Sequence, residues 1–263
     1  MLSLNVMAAT GIVVNGLPLQ GPDGVTIKNF TDPSVYRFVN QKRTGPVTEV
    51  IVHETVTRSW QSTVQVLRPA SPTNPGGRGL GVHFIADYDG TIYQHGDLAT
   101  DELWHASQHN GPSVGIETVN PFEPNLAPAN GPWKDIIDNA PWAVGGKYLV
   151  PTPAQSESIF KLILWMLTPD STLSIPLTFR GLNGNILAMG PYTPAASLAP
   201  GIYAHHYFGH GDGSWLNLYI FLRTQGMDPD TARTTAIQLA TGAKPVGVDI
   251  SPYLAPPATQ PSS

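Results

Sequence analysis

The sequence predicts a single α/β domain: a central mixed β-sheet flanked by helices, with long ordered loops. Three observations lead there. Short β-branched runs such as TEVIV (48–52) alternate along the chain with amphipathic stretches such as PAQSESIFKLILWML (153–167), the interleaving expected when strands and helices share one core. No internal repeat and no sharp change of composition divides the chain. Finally, 26 Gly and 26 Pro in 263 residues, against only 13% charged residues, describe turn-rich loops around a packed centre rather than a charged helical bundle.

Residues 1–45 read as an extended arm, dense in Gly and Pro at GLPLQGPDG, with one short strand around Val25, Ile27 and Phe30. Such a segment is expected to wrap the core and cover an edge. Its first residues, MLSLNVMAATGIVVNG, lack a basic region, and Asn5 and Gly11 break the apolar stretch, a poor match to a secretory signal. In the run 48–52 only Glu49 interrupts the β-branched side chains, and the apolar pattern stops at His53, Glu54 and Thr55. This is a largely buried strand that holds an imidazole at a rim, with Glu54 and Thr55 starting the next loop.

SWQSTVQVL (59–67) spaces Trp60, Val64 and Leu67 for a helix with Ser59 as its N-cap. The following RPASPTNPGGRG is a loop by composition. GVHFIADYDGTIYQ then reads as a β-hairpin that turns at Tyr88, Asp89 and Gly90, because Asp-Gly supplies the positive φ a tight turn needs. In LWHASQHNGPSVGIE a loop carries Trp104, His105, His109 and Asn110, and a strand from Ser113 to Ile116 ends on Glu117. Residues 120–150, rich in Pro, Gly and Trp, are expected to lack regular structure and to serve as a binding or lid element.

The clearest helix is 153–167, where Ile159, Leu162, Ile163 and Met166 share a face, Thr152 caps and Pro169 stops. Residues 170–200 read as irregular with one short strand. GIYAHHYFGHGDGSW follows, then an unassigned stretch over 216–223, then a helix from Pro229 to Thr241 capped by Asp228. The resulting division is an arm over 1–45, a core domain over 46–245 and a Pro-rich tail over 246–263, disordered by composition.

Composition narrows the function. A net charge of −5 with 14 scattered basic residues gives no footprint for nucleic acid, which requires clustered Lys and Arg. No apolar window approaches a membrane span. The absence of Cys excludes disulfides and thiolate sites, so any metal must be held by His and carboxylates. Three places offer such ligands: His53, Glu117, and the cluster of His205, His206, His210 and Asp212. Hydrolytic zinc takes three ligands of this kind and leaves a fourth position for water, with a nearby carboxylate as general base. Eight histidines allow many triples, and His83, His95 and His109 read as hydrogen-bonded or surface residues. His105, beside Trp104 in a loop, reads as a groove residue.

The ordered runs VIVHETV, GVHFIADYDGTIYQ and LWHASQHNGPSVGIE resemble the zinc-dependent N-acetylmuramoyl-L-alanine amidases, a family that includes peptidoglycan recognition proteins. The resemblance is close from Val50 to Glu117. It implies one zinc ion held by His53, a second histidine and Asp212, with Glu117 as the acid that polarises the zinc water. The second ligand is open between His205 and His206; His205 is preferred because Ile202 and Tyr203 lead into it as a β-type run and seven positions separate it from Asp212. His210 stands where the family has a lysine two positions before the third ligand, and inherits the oxyanion role. Trp104, His105 and Asn110 would line the substrate groove. Glu54 departs from the small or hydroxyl residue that follows the first ligand. The implied activity is cleavage of the amide between N-acetylmuramic acid and L-alanine in peptidoglycan or muropeptides by a soluble monomer, either a phage-type lysin or a cytoplasmic recycling enzyme. The alternative is a non-catalytic peptidoglycan-binding or phage structural module on the same fold.

Overall fold

The β-branched run before His53 lies near the middle of the sheet, and the rest of the molecule is layered on it. The computed structural model describes residues 10–140, 142–180, 199–208, 210 and 212–243. Among these, six strands form the central sheet: β1 (Ile27–Asn29), β2 (Glu49–Thr55), β3 (Phe84–Ala86), β4 (Ile92–Gln94), β5 (Ser113–Val119) and β6 (Gly201–Ala204), in the spatial order β6-β2-β5-β3-β4-β1. The first four in that order are parallel, β3 and β4 form the antiparallel hairpin, and β1 runs parallel to β4. Burial on both faces explains the unbroken apolar runs: Val50, Ile51, Val52, Val114 and Ile116 are fully buried.

Among the described residues four α-helices of eight or more residues flank the sheet: α1 (Trp60–Leu67), α2 (Pro153–Met166), α3 (Ser214–Thr224) and α4 (Pro229–Ala240). Ser59 and Thr152 each close a capping box, and Asp228 accepts from two amides at the start of α4, so the sequence-level caps fix the helix starts. Val50, Val52, Val114, Ile116 and Ile202 face one way into a core shared with α2, α3 and α4. Ile51 and Tyr203 face the other way, towards Ala106. That second face carries the site.

Several expectations are corrected. β2 continues through Glu54 and Thr55, and β5 continues through Glu117 to Val119, because the two strands pair in parallel along seven residues, from Glu49 with Ser113 to Thr55 with Val119. A continuous ladder outweighs the polar side chains at its end. The stretch 120–150 is folded: Ile136–Asp138 pairs with Lys147–Leu149, and Ile137, Ala140, Trp142 and Tyr148 are buried in the main core. It is a packed insert instead of a structureless lid. α3 occupies the stretch left unassigned; Trp215, Leu216, Leu218, Tyr219, Ile220 and Leu222 are all buried, and a helix apolar all round shows no amphipathic period. The arm supplies β1 and a hairpin of Ile12–Val14 with Leu17–Leu19, tied to β4 where the Gln94 amide exchanges two hydrogen bonds with the Val13 backbone. The short strand expected within 170–200 appears as an isolated bridge from Phe179 to Ile202. Most of that stretch, the start of the arm and the tail 246–263 lie outside the described residues.

His83, His95 and His109 are buried and hydrogen-bonded, to the Gly115 amide, the Tyr36 carbonyl and Glu49 respectively. Burial pushes His95 down to about 4, against the upward pull of the Tyr36 carbonyl, and burial with the nearby Arg43 pushes His83 down to about 3. The folded protein therefore keeps both rings neutral while the unfolded chain binds protons near pH 6.5. Their neutral packing stabilises the fold fully above that pH, and the stabilisation is lost as pH falls towards 4. We expect urea midpoints to drop between pH 7 and 4, with His95→Asn flattening the slope by on the order of 3 kcal/mol at the acid end; an unchanged slope would contradict this.

Candidate active site

His53 on β2 and Glu117 on β5 are partners in the parallel ladder. Ala204, the last residue of β6, pairs with Val52, so His205 follows at the level of His53. The three side chains thus form one row across adjacent parallel strands, at their C-terminal ends, where α/β sheets place ligands. A cavity of about 890 Å³ opens over this row, and Asp212 and His210 complete its wall.

Nδ1 of His205 lies 3.2 Å and Nδ1 of His53 3.9 Å from Oδ2 of Asp212. The two imidazole rings are 4.1 Å apart. One ligand atom from each of His53, His205 and Asp212 falls within 4.8 Å of the others, a group that could hold a metal ion. The ring that meets the Asp212 carboxylate is that of His205, whereas His206 meets Asp212 only through its backbone amide, which donates to the Asp212 carbonyl oxygen at 2.7 Å. The chain leaves β6 at Ala204 into a 3-10 turn over His205–Phe208, which turns the His206 ring into a buried position beside Tyr207. The site lowers the pKa of His53 well below its ordinary value, through burial first and then the neighbouring His205, His105 and His210.

Glu117 is partly buried, and its Oε2 has no hydrogen-bond partner. Burial, then Asp212 and Glu54, hold its carboxyl well above the usual range, with Arg78 opposing. His210 is exposed and stacks on His205 at 4.1 Å. Trp104 lines the cavity with 41% of its surface exposed. His105 and Asn110 also line it, but the His105 ring nitrogens and the Asn110 side-chain oxygen are engaged inward. Nδ1 of His105 meets Nε2 of His53 at 3.0 Å, and the Asn110 side-chain oxygen accepts from the His105 and Ala106 amides, fixing the loop.

The family model of N-acetylmuramoyl-L-alanine amidases matches residues 43–177, just over half of the chain. The chain belongs to this family. The matched part of this amidase-family chain contains His53, His105 and Glu117 and ends before His205 and Asp212, which β6 returns to the side of β2. Similar solved structures include the endolysin amidase LysCS from Clostridium intestinale URNW, at 16% identity over 71% of this chain and 86% of that one, with a TM-score of 0.41. Drosophila peptidoglycan recognition protein SA is 12% identical over 72% and 85%, with a TM-score of 0.40. The amidase LysC from Clostridium intestinale URNW is 16% identical over 68% and 88%, with a TM-score of 0.37. No curated protein matches the chain. No helix among the described residues is long and apolar enough to cross a membrane.

The amidase-family site has a backing that the sequence reading missed. Glu54 is not in a loop; it is buried in β2 and points to the face opposite His53. Its carboxylate accepts from Tyr148, Asn120 and the Gly213 amide, while its own amide donates to Asp212 Oδ2 at 3.1 Å. Burial raises Glu54 to about 7 against the pull of these hydrogen bonds, and Asp212 adds to the rise. Gly213 has φ 82, and a Cβ there would sit 2.2 Å from the Val52 carbonyl oxygen, so only glycine lets the Asp212 turn close on β2. The one signal in the sequence was the unusual Glu after His53; nothing pointed to Asn120 or Tyr148.

Proposed function

We propose that this chain is a zinc-dependent peptidoglycan hydrolase that cleaves the amide between N-acetylmuramic acid and L-alanine, acting as a phage-type lysin. The observation that carries the reading is the convergence of His53, His205 and Asp212 beside Glu117, whose Oε2 has no hydrogen-bond partner, in one cavity. Two imidazoles and a carboxylate are a donor set that zinc accepts. After burial, Asp212 raises the proton affinity of Glu54 and of Glu117, and Glu54 adds to the rise at Glu117; a divalent cation offsets that repulsion.

Zinc held there would polarise the amide carbonyl and bring the pKa of a water towards about 7. Glu117, with no competing hydrogen bond at Oε2, takes a proton from the attacking water and gives it to the leaving L-alanine nitrogen. His210 donates an N–H to the developing oxyanion from the outer side of His205. Trp104 offers an aromatic face to glycan or peptide, with His105 and Asn110 in the wall beside it. The lysin assignment is supported by the arm that precedes the residues matched by the family model, 43–177. The presence of His53, His205 and Asp212 together supports catalysis over a binding module that has lost a ligand.

Mass analysis of purified muropeptides tests the reading: cleavage between the lactyl group and L-alanine is expected, and cleavage of a different bond, or none from zinc-loaded protein, would overturn it. His210→Ala should lower turnover about a hundredfold, the scale of losing one oxyanion donor, with zinc content unchanged by metal analysis. Loss of zinc from that variant would make His210 a ligand instead.

A further inference from the structure

We propose that Ser113 is a positioning residue that sets the ring tautomer of His53 through His105, so that His53 presents the bare lone pair of Nδ1 to the metal position. The proposal rests on the zinc reading of the site and extends it to a residue at the far end of β5 from Glu117.

A chain of contacts fixes where each hydrogen sits. Ser113 is fully buried, and its hydroxyl donates to the carbonyl oxygen of His109, which can only accept. With its proton committed, Ser113 Oγ must receive at its other contact. That contact is Nε2 of His105 at 3.1 Å, which therefore carries the N–H. A neutral imidazole has one N–H, so Nδ1 of His105 is a lone pair. This nitrogen lies 3.0 Å from Nε2 of His53, and His53 must supply the proton between them. The remaining nitrogen of His53, Nδ1, is the one that faces Asp212 Oδ2.

The opposite tautomer fails at both ends. It sets two oxygen and nitrogen lone pairs against each other at Ser113, and it puts the His53 proton on Nδ1, where it blocks coordination. Outer partners commonly fix the tautomer of a metal-ligating histidine; here a second imidazole relays the choice.

The parts of the relay are held in place by packing. A Cβ on Gly115 would lie 2.8 Å from three atoms of the His105 ring, so that ring rests directly on the β5 backbone. Arg43, itself buried, donates to the carbonyl oxygens of Gly111 and Ser113. Nδ1 of His109 meets Glu49 Oε2 at 2.7 Å, anchoring the residue whose carbonyl takes the serine proton.

Nitrogen-15 NMR of the histidine rings reads the tautomers directly, in metal-free wild-type protein and in Ser113→Ala. Both His53 and His105 are expected as Nε2–H tautomers in the wild type. In Ser113→Ala, His105 should lose its single tautomer, and zinc affinity, measured by chelator competition, should fall about 10–100-fold. A His53 that carries its proton on Nδ1 in the wild type overturns the proposal without any variant. So does a Ser113→Ala protein with both tautomers and zinc affinity unchanged. Failure of wild-type protein to bind zinc would instead overturn the metal reading, while the ring tautomers still report on the relay.

Discussion

His53→Ala is expected to abolish both zinc binding and amide hydrolysis. His53 is the donor held most rigidly, since its backbone is locked in the β2 ladder and its ring is fixed between His105 and His205. Loss of an outer partner of a metal ligand already costs about 10–100-fold in affinity, so loss of the ligand itself should cost more than a hundredfold. Zinc per chain after gel filtration should fall to background, and clearing of cell walls should stop. The fold should survive, because the core with α2, α3 and α4 lies on the other face of β2. Full activity in this variant would remove the basis of the mechanism.

Glu117→Gln should lower kcat by about a hundredfold to ten-thousandfold, the range for loss of a general base, with zinc retained and KM little changed. The same substitution should raise thermal stability. Glu117 places a carboxyl among Asp212 and Glu54 with an unpartnered buried oxygen, and a neutral amide of the same shape relieves that repulsion at the expense of chemistry. Parallel measurement of kcat, zinc content and Tm separates the outcomes. A variant that loses zinc makes Glu117 a ligand, and one that keeps wild-type kcat removes it from the reaction.

The parts of this protein that were legible in its sequence were those written locally. The run into His53, the Asp-Gly hairpin and the caps at Ser59, Thr152 and Asp228 are patterns within a few residues, and the structure places them as read. Glu117 was singled out at the end of the third ordered run and Asp212 by the resemblance in the His-rich stretch beyond it, and the structure brings both into one cavity. What stayed hidden depends on contacts across the chain. The hydrogen bond from Tyr148 to Glu54 spans 94 residues, and no periodicity announces such a meeting. His105 was legible as a residue near the site, but a motif order cannot distinguish a side chain that faces substrate from one that backs a ligand. α3 was lost for a different reason: burial on all sides erases the polar face that would have marked it as a helix.

The reciprocal bonds between Glu54 and the Asp212–Gly213 turn join positions 158 residues apart. A ribosome making this chain releases His53 and Glu117 long before β6, the Asp212 turn and α3 exist. On the zinc reading, the proposed donor set therefore stays incomplete until β6 and the Asp212 turn have docked on β2, and a growing chain that ends before them would hold only His53 and Glu117 of the proposed machinery. The proposed chemistry would then belong to the folded chain alone, because its ligands come from segments that only the complete sheet brings together.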